Sequence, residues 1–225
     1  MGVEQVDGTY VIEPDANTVH SVFSRDLKPI ATVEPGACLR FRTLDAAGQV
    51  YDAETDSLKR VESIFANNPL RGHALCGPIA VAGAKKGMTL EVVIDAIETA
   101  EMGWNRGGSG VGWPHGERLG VDEDPPHKTL WRIADGRATM SHTGYSVPIA
   151  PFMGVLGMPP NRAGKFDTSP PRDHGGNIDC KLLTAGSRLF LPVSVDGALF
   201  SVGDGHAAQG DGEASGTAIE CPMRQ

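Results

Sequence analysis

Residues 198–213 read ALFSVGDGHAAQGDGE and bring Asp204, His206, Asp211 and Glu213 into one short stretch. A carboxylate and an imidazole together suit a hard or borderline divalent cation. Asp204 and His206 are two positions apart, so on an extended backbone both side chains leave the same side. Gly203, Gly205, Gly210, Gly212 and Gly216 space the group and permit turns that let side chains converge. Asp179, in the separate segment GNIDCK, could supply a third ligand. Three protein ligands plus water is the pattern of a catalytic zinc site. Such a cation lowers the pKa of water and polarises an amide carbonyl. Glu213 or Asp211 could then take a proton from water and pass it to a leaving nitrogen. Glycine–aspartate segments also mark turns in which Asp bonds to nearby backbone, and for any single residue that reading stands beside the ligand one. A histidine with several carboxylates exceeds what one turn needs. The chemistry alone gives a metal or acid–base site and no substrate.

Strands must position these groups. The spacing predicts them over 9–13, 37–43, 77–84, 88–97, 129–133, 188–195, 198–202 and 217–220. The 88–97 run also fits helical spacing, but Thr89, Val92, Val93, Ile94 and Ile97 are β-branched and favour a strand. Asp196-Gly197 between two β-rich runs carries the signature of a hairpin turn. Short helices are expected near 57–64 and from about Val147. The stretch 102–127, rich in Gly, Pro and charge, reads as a long functional loop or, more simply, a mobile insertion, with Trp104 and Trp113 still available to line a pocket wall. The class inferred is mainly β, a sandwich or barrel of antiparallel strands.

Composition narrows the functional classes. A net charge of −8 argues against nucleic acid, since phosphate binding needs clustered Lys and Arg. The four cysteines, Cys38, Cys76, Cys180 and Cys221, form no C-x-x-C pair, which disfavours a thiolate zinc site. The first residues show neither a basic region nor an apolar one of the secretory kind. The longest apolar run, 147–160, is cut by Pro148, Pro151, Gly154 and Gly157 and cannot span a membrane as a regular helix. The expectation is a cytoplasmic protein with reduced thiols and no membrane partner.

The segments GNIDCKLLTAGSRLFLPVSVDGALFSVGDGHAAQGDGE and GTAIECPM resemble the acetamidase/formamidase family. GDGHAAQGDGE is the most specific of the matches, and VPIAPFMGVLGM and SPPRDHGG support it. LKPIATVEPGACLRFRT, HALCGPIAVAGAKKGMTLEVVI and His20 match more weakly. The resemblance implies one catalytic domain over 1–225, β-rich with sandwich and barrel-like parts. It implies hydrolysis of short aliphatic amides such as formamide and acetamide to a carboxylic acid and ammonia. It also implies a divalent metal, zinc first and calcium second, and a homo-oligomer. Carried onto this chain, it makes Asp179, Asp204, His206, Asp211 and Glu213 the active-site cluster. We divide these into metal ligands (Asp179, Asp204, His206) and acid–base groups (Glu213, Asp211). Asn177 and Gln209 could hold a substrate amide, with His174 beside them as a further ligand, or each could only stabilise its loop. His20 and His73 could reach the site from other strands, although a satisfied histidine is the simpler account of each. Cys180 has no local histidine to make it a thiolate, so a small buried side chain is expected. Members of the family usually continue beyond the point corresponding to Gln225, so the usual C-terminal extension is expected to be lacking. Two other readings stay open: a hydrolase of small lactams, and a non-catalytic metal-binding β module or truncated fragment.

Overall fold

In His127–Ala134 the β-branched and aromatic residues Thr129, Trp131 and Ile133 alternate with exposed positions and turn into the core. The computed structural model describes residues 2–66, 69–108, 120 and 123–225. Trp113 lies outside them. The long strand Ala198–Ala208 organises the molecule. Along one edge it pairs antiparallel with Phe152–Gly157. Its other edge is shared, the first half by Leu75–Val81 and the second by Ile219–Glu220. Ile219–Glu220 in turn pairs with Met102–Gly107, which leads out through His127–Ala134 and Arg137–Met140 to Ser146–Pro148. Gly175–Asn177 closes the opposite end beside Phe152–Gly157. Val19–His20 and Ala31–Val33 flank Leu75–Val81. Three small sheets pack around this one: Val3–Val6 with Thr9–Ile12 and Leu39–Phe41, Thr89–Val93 with Arg188–Pro192, and Gln49–Asp52 with Ser57–Arg60. The mainly β class expected from the sequence is the class observed. No helix among the described residues is long and apolar enough to cross a membrane.

Two large apolar clusters hold the sheets together. One gathers Trp131, Ile133, Met153, Leu156, Phe200 and Met223. The other gathers Ile12, Val33, Leu44, Phe65 and Ile79. A cavity of about 820 Å³ opens among Phe41, Val81, Leu90, Met153 and Phe200. None of the candidate site residues lines it.

Four local expectations are corrected. Residues 57–64 are not one helix. Ser57–Arg60 pairs with Gln49–Asp52, with Asp56 at φ 49° in the turn, and only Glu62–Phe65 is helical. No helix starts at Val147. Pro148 ends one strand, and the fully buried FMGVLG run forms the next, Phe152–Gly157. Asp196-Gly197 does not close a hairpin, because the strands on either side join different sheets. Its Asp carboxylate instead accepts from Lys85 Nζ (2.9 Å) and Lys86 N (3.1 Å), tying two connections together. Residues 102–107 belong to a strand rather than a loop, and Trp104 is buried with Nε1 donating to Asp45 Oδ2 at 2.7 Å.

Candidate metal centre

The site is built on one register. Met153 faces Gly205 and Val155 faces Gly203, so Gly154 lies directly across from Asp204. The glycines flanking Asp204 are demanded by their neighbours. A Cβ at Gly203 would sit 2.2 Å from the Ala74 carbonyl oxygen, and one at Gly205 would sit 2.5 Å from Met223 Cγ. Asp204 itself takes φ 59°, a left-handed conformation that Asp tolerates better than most residues. The expected two-residue spacing is realised, with Asp204 Oδ1 3.3 Å from His206 Nε2. Both residues are buried, and the His206 ring stands edge-on to Phe152 at 5.1 Å.

Three further segments deliver carboxylates. Asp179 follows Gly175–Asn177 at φ 47° and is fixed by the Gly154 carbonyl, which accepts from Ile178 N (2.9 Å) and Asp179 N (3.2 Å). Glu213 ends the single turn Asp211–Glu213. Glu220 sits opposite His206 in the sheet, and its Oε2 lies 3.3 Å from His206 Nε2. Among the described residues two sets of potential ligands result, Asp179–Asp204–His206 and His206–Glu213–Glu220, with ligand atoms within 4.8 Å of one another in each. From the segment just before Leu75–Val81, His73 brings Nε2 to 3.8 Å from Asp204 Oδ2 while its Nδ1 meets Thr168 Oγ1 at 2.9 Å.

Hydrogen bonding settles which way His206 faces. Gln209 Nε2 donates to the carbonyl of Asp179 at 2.9 Å, so the amide oxygen is left to face the ring. That oxygen accepts from His206 Nδ1 at 2.9 Å. The proton therefore sits on Nδ1, and Nε2 points at the carboxylates of Asp204 and Glu220. A bare lone pair between two anionic oxygens is unfavourable, so Nε2 must carry either a proton or a cation. His206 Nε2, Asp179 Oδ1 and Glu220 Oε2 are all buried without a hydrogen-bond partner. This donor set, one imidazole among carboxylates with orphaned atoms turned inward, fits a divalent cation.

Electrostatics follow from the same contacts. Burial opposes charge on His206, but the Asp204 and Glu220 carboxylates outweigh it and hold the imidazole well above its ordinary pKa. Burial pushes Asp204 upward, yet His206 and His73 bring it down to about 2. Asp179 is raised to about 6, by burial and then by the charge of Asp204. Glu213 is pushed up to about 8, by burial and then by Asp179. A bound cation would reverse the last two directions.

The remaining residues named from the sequence fall differently. Asp211 is exposed and pairs with Lys181 Nζ at 2.7 Å, outside both ligand sets. Gln209 spends its amide on His206 and Asp179. Asn177 Oδ1 and His174 Nδ1 are buried without partners, and His174 belongs to neither ligand set. His20 Nε2 meets Ser201 Oγ at 2.9 Å, away from both ligand sets, while its Nδ1 is buried without a partner. Cys180 is a half-buried free thiol. Sequence reasoning missed Glu220 and Gly154. The one available signal for Glu220 was a lone acid in the otherwise uncharged run TAIECPM.

The model of the Acetamidase/Formamidase family matches residues 5–165 and 161–223. An acetamidase from Mycolicibacterium smegmatis is 28% identical over 270 aligned residues, covering 94% of this chain and 65% of its own. A crystal structure of a predicted acetamidase/formamidase from Thermoanaerobacter tengcongensis aligns with a TM-score of 0.76 and 32% identity, over 93% of this chain and 65% of that one. The γ-lactamase from Delftia acidovorans aligns with a TM-score of 0.74 and 26% identity, over 92% and 62%. The chain thus spans less than two thirds of the length of each of these relatives. With family-model matches running through nearly all of its length, this chain belongs to the acetamidase/formamidase family.

Proposed function

We propose that this chain hydrolyses the C–N bond of short linear amides, formamide and acetamide first, with a divalent cation held by Asp179, Asp204 and His206. The observation that carries this reading is the orientation of His206, whose Nε2 is turned by Gln209 into a buried ring of carboxylates. When bound, the cation would polarise the amide carbonyl and make water acidic. Zinc suits one imidazole with carboxylates, and calcium is the second choice.

The chain's own groups then have distinct tasks. Glu213, half-buried beside the site and outside the Asp179–Asp204–His206 set, is the base. It takes a proton from water and returns it to the departing nitrogen, which leaves as ammonia. Gln209 keeps His206 oriented through Nδ1, and Glu220 adds a carboxylate beside its Nε2. Asp211, exposed and paired with Lys181, leaves Glu213 as the better base. Asn177 Oδ1, buried without a partner, could accept from a substrate amide N–H. The setting of this reading is a cytoplasmic homo-oligomer, which light scattering and cell fractionation would test.

The test is ammonia release from formamide and acetamide by the purified chain, with chelator and with added zinc. Zinc-dependent release that the chelator abolishes is expected. A folded chain that releases no ammonia with any added metal would overturn the reading. A second reading, opening of a small lactam, is favoured by the likeness to the Delftia acidovorans γ-lactamase. Ring opening of a five-membered lactam in place of ammonia release would select it.

A further inference from the structure

Two ligand sets share His206. Gly154 distinguishes them. It lies across from Asp204 within the fully buried strand Phe152–Gly157. A Cβ built on Gly154 would sit 2.6 Å from Asp204 Oδ2, 2.8 Å from Asp179 Oδ1 and 2.9 Å from His206 Cε1. No Cβ tolerates such contacts, and all three fall on residues of the Asp179–Asp204–His206 set. Backbone conformation does not require this glycine, because its φ lies outside the left-handed region. What requires it is the space. The Gly154 carbonyl also holds Ile178 N and Asp179 N, so the residue that leaves the gap also fixes one of its walls.

We infer that Gly154 is a positioning residue that keeps a cation seat open between Asp179 and Asp204, and thereby selects that pair with His206 over the His206–Glu213–Glu220 set. This rests on the metal-dependent reading above. It leaves Glu213 free of the cation for proton transfer and leaves Glu220 beside His206, outside the seat. It also assigns a function to a glycine whose φ any residue could adopt.

The experiment is calorimetric titration of Zn²⁺ into the chelator-treated whole chain, with far-ultraviolet circular dichroism as the check on folding. Gly154→Ala should weaken Zn²⁺ binding by about 10–100-fold, the range for lost support of a metal ligand. Gly210→Ala is the control, since Gly210 has φ −73° and no atom within 4 Å of its Cβ position. It should bind like the parent. If Gly154→Ala binds Zn²⁺ like the parent while His206→Ala has lost it, the seat lies in the other set and the inference fails. If His206→Ala also binds like the parent, the metal reading itself fails. Should Gly154→Ala not fold, Asp179→Asn and Glu220→Gln decide. Weakening mainly in Asp179→Asn supports the seat, and weakening mainly in Glu220→Gln overturns it.

Discussion

At the scale of single residues, His206 depends on a neighbour that contributes no ligand. Gln209 bridges the ring nitrogen and the Asp179 carbonyl, and so holds two would-be ligands in one geometry. Gln209→Ala should therefore raise the Zn²⁺ dissociation constant by about 10–100-fold, as measured by calorimetry. His206→Ala should abolish ammonia release and keep the far-ultraviolet spectrum, and full activity in that variant would remove the site. Asp204 and His206 could be paired from sequence because a strand repeats every two residues. Gln209's task could not, because its second partner lies 30 positions away and is a backbone carbonyl. Glu220 was hidden for a related reason. A single acid in a strand forms no motif, and only the register opposite His206 gives it meaning.

Elements show which local signals the fold overrode. Asp196-Gly197 has the residues of a hairpin turn, but the strands around it each find better partners in other sheets. Period-two runs such as Thr89–Val93 were legible because packing rewards the same alternation that the sequence shows. The glycines of Ala198–Ala208 looked like turn residues and are instead places where backbones approach. Gly203→Ala would drive a methyl group into the Ala74 carbonyl and should cost about 1–3 kcal/mol in urea unfolding. The strand Val19–His20 carries a pH signature. Burial lowers His20 from 6.5 to about 4, outweighing a backbone contact at Val22. Between those values the unfolded chain binds a proton that the folded chain refuses. Stability from this group therefore rises with pH through that window and is lost as pH falls toward 4, by roughly 3 kcal/mol in all. Urea unfolding of the parent and of His20→Gln at pH 4.5 and 7 should show the larger acid loss in the parent. Equal losses would show that His20 titrates normally.

For the molecule as a whole, family membership was legible because the informative segments are contiguous, whereas the assembly of the large sheet was not. That sheet turns on Ile219–Glu220, a strand of two residues. On one side it meets Trp104 and on the other His206, and among the described strands it is the only link between Met102–Gly107 with its outer partners and the Ala198–Ala208 group. The residue facing the candidate centre is thus also the rivet between two halves of the sheet. Occupancy of the centre and cohesion of this seam are then thermodynamically linked, so a cation that draws His206 and Glu220 into order should slow opening of the seam. Amide exchange at Trp104 and Ile219 should slow when Zn²⁺ is added, and by less in His206→Ala. Equal exchange with and without the metal would mean that the rivet does not sense the site it touches. If the linkage holds, loss of the cation loosens the joint on which the larger sheet depends, and an empty centre becomes a mechanical weakness of the protein as well as a chemical one.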